Sequence, residues 1–160
     1  MKVMPTIEGG LRIDIETPSD WLVLEFIPLD ALGESGGKLP ERLGALMDDD
    51  SEWDEMVIPE LRMFFADQVS KVAQAVKDAQ ADVELGKEEA SGTIFITKEA
   101  GEDWYGALNQ ARLGLESQFK FGPSEEIDGL EEFSEEKRGG YVRNRFYLAL
   151  QGLLLDYVVE

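Results

Sequence analysis

Trp104-Tyr-Gly-Ala-Leu-Asn-Gln-Ala-Arg-Leu-Gly-Leu115 is the stretch on which the reading of this chain turns, because it sets Asn109 and Arg112 one helical turn apart inside an otherwise apolar helical pattern. Polar groups in such a position need partners. Arg112 follows Leu108 by four residues and Trp104 by eight, so its stem lies along the face those residues bury, with Asn109 beside it at i−3. The motif therefore specifies packing rather than a reaction. One reading is a polar clamp, in which the guanidinium takes a carboxylate or backbone carbonyls of a neighbouring segment, with Asp156 as a candidate. The other is a contact with a ligand or partner protein. Trp104, Asn109 and Arg112 are accordingly candidates for a structural or partner-binding role.

Working outward, the helix that carries this motif reads as Glu99 to Phe119. Gly122 to Gly140 follows as an acidic connection with Gly, Pro and Ser and no clear periodicity. The last helical segment, Tyr141 to Val159, is apolar nearly all round apart from Arg143, Asn144, Arg145, Gln151 and Asp156. A helix of that kind belongs at the centre of a core or in an interface. Upstream, Thr93-Ile-Phe-Ile-Thr97 is strongly β-prone. From Leu61, apolar residues recur at Phe65, Val69, Val72, Val76, Ala79 and Val83, which predicts a long amphipathic helix of about six turns. Alternating threes and fours also suit a coiled-coil seam, so a homodimer stands as the alternative to packing within the chain.

Toward the N-terminus, Val3–Glu8 and Leu11–Glu16 flank Gly9-Gly10, and Leu11, Ile13 and Ile15 alternate with Arg12, Asp14 and Glu16. This predicts a hairpin with a two-residue turn. Thr17-Pro18-Ser19-Asp20 supplies a cap, a proline at the first helical position and an acid near the positive end of the helix dipole. The helix body is Trp21 to Leu32, which Pro28 should kink or end. Residues 33–52 read as a linker with a short helical turn at Leu43–Met47, and Ser51-Glu52-Trp53-Asp54 resembles a capping box ahead of a pattern interrupted at Pro59. The expected architecture is mainly α: a single domain over residues 1–160, a helical bundle with a small antiparallel sheet made of the N-terminal hairpin and one further strand. The terminal helix is expected to be central, with the Trp104–Phe119 helix packed across it.

Composition narrows function. At 160 residues with 43% hydrophobic and 31% charged residues, the chain is long enough for its own core. Fifteen Lys plus Arg against 34 Asp plus Glu, with no His, give a formal charge of −19. That balance disfavours nucleic acid and anionic membranes; it reads first as a solubilising surface, with docking to a basic protein partner as the functional alternative. No secretory signal opens the sequence and there is no Cys, so a cytoplasmic setting is the expectation.

Without His or Cys, an imidazole-based triad and a zinc site of the usual nitrogen and sulfur type cannot be built. Phosphate-cradling glycine motifs are absent too. Asp48, Asp49, Asp50, Glu52, Asp54 and Glu55 form an acidic run without the glycine and terminal Glu spacing of a calcium loop, and read as a solvated segment leading into a helix. No catalytic residue, metal ligand or cofactor site is assigned. Lys137, Arg138, Arg143 and Arg145 concentrate four cations in nine residues, either to neutralise the neighbouring acidic connection or to dock a partner.

At Trp104-x-x-Ala-Leu-Asn109-x-x-Arg112-Leu-x-Leu115 the chain resembles an uncharacterised family of bacterial proteins known as a domain of unknown function, whose signature is Trp followed by Ala-Leu-Asn and Arg-Leu. The likeness extends to the N-terminal strand pair, to Ile58-Pro-Glu-Leu-Arg62 and to the terminal apolar helix. Where the family continues Gly-Thr-Arg-Leu, this chain has Glu116-Ser117-Gln118-Phe119, so no role of that second arginine carries over. The resemblance implies a small, mostly helical protein with no established activity, sometimes encoded near the adaptor of the Clp protease. The functional expectation is a non-enzymatic interaction, adaptor or regulatory protein. A carboxylate-dependent enzyme using a divalent metal and an acidic mimic of nucleic acid are the alternatives.

Overall fold

Alternation in Leu11-Arg-Ile-Asp-Ile15 is borne out in space: Leu11, Ile13 and Ile15 are buried, while Arg12 faces outward. The computed structural model describes residues 1–33, 57–84, 91–123, 127 and 129–159. Within them the protein is mainly helical, with four helices and a three-stranded antiparallel sheet. In chain order these are β1 (Lys2–Pro5), β2 (Leu11–Ile15), α1 (Pro18–Leu32), α2 (Ile58–Glu84), β3 (Gly92–Ile96), α3 (Gly101–Phe119) and α4 (Glu135–Tyr157). The expected turn at Leu43–Met47, the capping box at Ser51–Asp54 and the acidic run from Asp48 to Glu55 lie outside the described residues.

Strand β2 is the centre of the sheet. Its register pairs Ile13 with Val3 on one side and with Ile94 on the other, so Ile94 and Ile96 join Leu11, Ile13 and Ile15 on the inner face. The hairpin turn is longer than the two residues expected. Pairing ends at Pro5↔Leu11, and Thr6 closes the loop by donating its N–H to the Gly10 carbonyl at 2.8 Å. Gly9 takes φ +87°, a left-handed conformation that costs glycine no steric strain.

Helix α1 begins where its cap predicts. Thr17 Oγ1 accepts the Asp20 N–H at 3.2 Å, and Asp20 Oδ2 accepts the N–H groups of Thr17 and Glu16 at 3.0 and 2.9 Å. Burial opposes the Asp20 charge, but these donors and the nearby amino terminus outweigh it and hold the carboxyl below its ordinary value. A depressed folded-state pKa contributes stability above the unfolded carboxylate value of about 4, and that contribution is lost as pH falls through the folded value. Thr17→Ala should lower unfolding free energy by about 1 kcal/mol, measured by urea titration. Asp20→Asn should flatten the acid limb of the stability profile; an unchanged acid limb would rule out the cap as its origin.

Pro28 does not end α1, which runs on to Leu32. Leu24, Ile27 and Ala31 are buried on both sides of the proline, and this packing offsets the missing backbone bond. Pro59 likewise falls in the first turn of α2, where its absent N–H has no intrahelical acceptor to miss. Val69, Val72 and Val76 of α2 enter the core, so the seam that also suited a coiled coil is occupied within the chain.

Two expectations are corrected. The helix at the middle of the bundle is α3, which packs against each of the other three, rather than the terminal helix. Helix α4 turns Tyr147, Leu150, Gln151 and Leu154 inward and leaves Val142, Leu148, Leu155 and Tyr157 exposed. It also starts earlier than Tyr141: Ser134 Oγ caps the Lys137 N–H at 3.2 Å, and Glu135 and Glu136 occupy the first turn. Gly139-Gly140 therefore lies inside a helix. At Gly140 an added Cβ would come within 2.6 Å of the Phe119 ring, so a larger residue there would force the ring to shift.

Candidate functional site

Four helices with polar residues on their inner faces must pair those residues across helix interfaces, since an unmade hydrogen bond in a core costs about 1–3 kcal/mol. Three such pairings fasten the bundle. Between α2 and α3, Gln68 is buried and donates to the Glu102 carbonyl at 3.4 Å, while Gln110 donates to Gln68 Oε1 at 3.3 Å and to the Phe65 carbonyl at 3.2 Å. Between α3 and α4, Arg112 Nη1 donates to Gln151 Oε1 at 2.7 Å, and Gln151 Nε2 reaches the Tyr105 carbonyl at 3.3 Å.

The third joins α1 to α4 and carries the charge. Asp30 is only 7% exposed. Arg143 grips it with two parallel bonds, Nε to Oδ2 at 2.7 Å and Nη2 to Oδ1 at 2.9 Å. Tyr147 OH donates to the same Oδ2 at 2.7 Å, with the Val23 carbonyl at 3.3 Å sharing that proton. The Arg143 guanidinium also lies 4.2 Å over the Phe26 ring. Burial, reinforced by the Asp30 charge, pushes the Tyr147 phenol far above its ordinary range, so it acts as a donor at every accessible pH. For Arg143 burial disfavours the cation, but Asp30 outweighs it and the group stays charged. A carboxylate with three good donors and a guanidinium with a matched fork form an ion pair that fastens α1 to α4.

Helix approach is set by small residues here. Gly114 of α3 meets the backbone of α1 at Asp30, where an added Cβ would fall on the carbonyl oxygen.

The sequence-derived candidates are dispersed over this framework. Trp104 is a core residue at 3% exposure. Arg112 is half-buried and does clamp α3 to α4, but its partner is Gln151 and not Asp156, which is exposed. Five residues separate the two along α4, about 140° around the helix, which takes Asp156 off the facing side. Arg112 Nε is buried with no hydrogen-bond partner. Asn109 is exposed, because Leu108 and Ala111 take the inward positions on either side of it, and it makes no pair with Arg112. Arg143 belongs to the buried ion pair, whereas Arg145 is exposed.

The cationic cluster's partners among the described residues are mixed, and the acids Glu125, Glu126 and Asp128 of the acidic connection lie outside them. Lys137 lies 4.4 Å over the Phe133 ring, Arg138 Nη2 donates to the Phe133 carbonyl at 3.3 Å, and Arg143 takes Asp30 from α1. Asp30, Tyr147, Gln68 and Gln151 are the site residues that sequence reasoning did not single out. A carboxylate three residues after Ile27 and one before Ala31, inside an apolar helical run, was the available signal for Asp30.

Beside the ion pair, α1 and α4 stand apart and leave a groove of about 380 Å³ lined by Leu22, Val23, Phe26, Arg138, Val142 and Arg143. A second hollow of about 330 Å³ lies at the hairpin end of the sheet, between Thr6, Gly10, Phe95 and Lys98. No group of three or more metal-ligating side chains and no helix long and apolar enough to cross a membrane occurs among the described residues.

These features define a class: a mainly helical protein on a three-stranded sheet, its interior polar groups paired across helix interfaces and its terminal helix apolar on both faces. A family model described as Domain of unknown function (DUF2017) matches residues 42–158, and the chain belongs to that family. The match takes in α2, β3, α3 and α4; the hairpin, α1 and hence Asp30 precede it. No curated protein and no solved structure matches the chain.

Proposed function

We propose that this protein is a non-enzymatic interaction module, an adaptor or regulator that engages another protein through the outer face of α4 and the adjoining face of α1. The observation that carries this reading is the set of exposed apolar side chains on these two helices, Val142, Leu148 and Leu155 on α4 and Leu22 and Leu29 on α1, of which Val142 and Leu22 line one groove. Exposed apolar side chains lose free energy when water is excluded from them, at about 25 cal/mol per Å². Arg143 and Asp30 beside this face are already engaged with each other, which favours association over bond chemistry. Trp104-x-x-Ala-Leu-Asn109-x-x-Arg112, read as the family's signature, supports a scaffold role: Trp104 fills the core and Arg112 ties α3 to the α4 face.

Photo-crosslinking in the source cells tests the proposal. p-Benzoylphenylalanine placed at Val142 or Leu148 should yield discrete protein adducts, whereas the same group at exposed Met63 on α2 should not. Absence of adducts at Val142, Leu148 and Leu155 alike would overturn the reading.

A further inference from the structure

The groove between α1 and α4 has a form and a charge that narrow what fits it, given the interaction reading above on which this inference rests. Leu22 and Phe26 of α1 and Arg138 and Val142 of α4 line it at i and i+4, and Leu29 and Arg145, outside the lining, continue the two rows at i+7. Two rows with the helical period on either side of a groove make the seat for a third helix, whose side chains interlock with both. The α1 row is apolar and the α4 row alternates cation, apolar, cation.

Charge is locally reversed here. The chain holds 34 acids against 15 cations, yet the lining contains two guanidiniums and no carboxylate. Arg143 is matched by Asp30 beneath it, and Glu25 on α1 is engaged by Gln80. Arg138 is exposed and, among the described residues, meets the Phe133 carbonyl, and exposed Arg145 sits two turns further along. Screening at physiological ionic strength acts over about 8 Å, so a docked segment responds to these two cations more than to the distant net charge of the chain. A second copy of the protein brings the same −19 to the encounter and is repelled until contact.

We propose that this groove receives an acidic amphipathic helix of a partner protein, its apolar seam laid on Leu22, Phe26 and Val142 and its carboxylates on Arg138 and Arg145. The partner is thus recognised by a seam of leucine-sized side chains flanked by Glu or Asp.

Designed helical peptides of about 20 residues, labelled and titrated with the full chain by fluorescence anisotropy, test it. A peptide with a leucine seam and Glu flanks should bind at least about tenfold more tightly than one with the same seam and Lys flanks, a difference of about 1.4 kcal/mol. Replacing the seam by serine should abolish binding. Arg138→Glu with Arg145→Glu, both at exposed positions, should leave the melting temperature near that of the parent and invert the preference toward Lys flanks. Val142→Glu should weaken the Glu-flanked peptide by at least about tenfold. Equal or tighter binding of the Lys-flanked peptide, no binding of either, or unchanged preference in the double variant overturns the proposal. So does a preference for anionic phospholipid vesicles over the peptide. If Val142 crosslinks in cells while the peptides show no preference, this inference falls and the interaction reading stands; if crosslinks are absent as well, both fall.

Discussion

Leu154→Asp is expected to abolish folding, and Leu155→Asp, one residue along, to leave it intact. Leu154 is fully buried on the inner face of α4, whereas Leu155 is 52% exposed on the outer face. Removing the leucine volume from a core site costs about 2–5 kcal/mol in lost transfer energy and cavity. Placing a carboxylate there buries a charge, a further cost of several kcal/mol. Against a total stability of about 5–15 kcal/mol, the sum leaves little native state. Leu150→Asp should behave like Leu154→Asp, since Leu150 is buried on the same face. Leu155→Asp loses only surface contacts and should shift stability by under about 0.5 kcal/mol. Circular dichroism melts of the three variants give the comparison, and a cooperative transition at the parental temperature in Leu154→Asp would falsify the placement of that face.

The contrast between Leu154 and Leu155 also shows where sequence reading reaches its limit. Helix α4 was legible as apolar nearly all round, and such a pattern has two physical solutions: burial on every side, or burial on one side and an interface on the other. Composition alone gives both the same score. What separates them is the position of α3, and that depends on contacts far apart in the chain. Gly114 reads locally as a weak point in a helix, yet it is the residue that lets α3 reach the backbone of α1. Gly139-Gly140 reads as a break, yet Gly140 makes room for Phe119, and the cap at Ser134 with two acids behind it was a local signal that the glycines outweighed. Period-two and period-3.6 patterns were legible because they are written within a few residues, as in Leu11–Ile15 and in the valines of α2. Arg112 was legible as a half-buried cation, but its partner was not, because Gln151 and Asp156 differ only in which side of α4 they occupy. The pairing of Asp30 with Arg143 spans 113 residues, and nothing local to either announces the other.

That pairing supports the second large effect. Arg143→Met keeps most of the stem volume over Phe26 but removes both guanidinium bonds to Asp30, leaving a carboxylate at 7% exposure with Tyr147 as its remaining side-chain donor. Breaking one side of a buried ion pair costs about 3–5 kcal/mol, mostly for the charge left behind rather than for the bond itself. Asp30→Leu should destabilise less, because the Arg143 side chain is 17% exposed and can turn its head toward solvent along the groove. The double variant, Asp30→Leu with Arg143→Met, should recover most of the loss of Arg143→Met, giving a coupling of about 2 kcal/mol or more in a double-mutant cycle read by urea denaturation. Arg112→Met makes the internal comparison. Its one strong bond goes to a neutral amide, and its Nε already lacks a partner, so its removal should cost only about 1–2 kcal/mol. If Arg143→Met and Arg112→Met proved equally mild, the Asp30 carboxylate would have to be solvated in solution, and α1 would not be fastened to α4 by charge. If the order holds, the groove beside Arg143 has a rigid floor, because that guanidinium is already fixed by Asp30 and loses no further side-chain freedom when a helix docks over it.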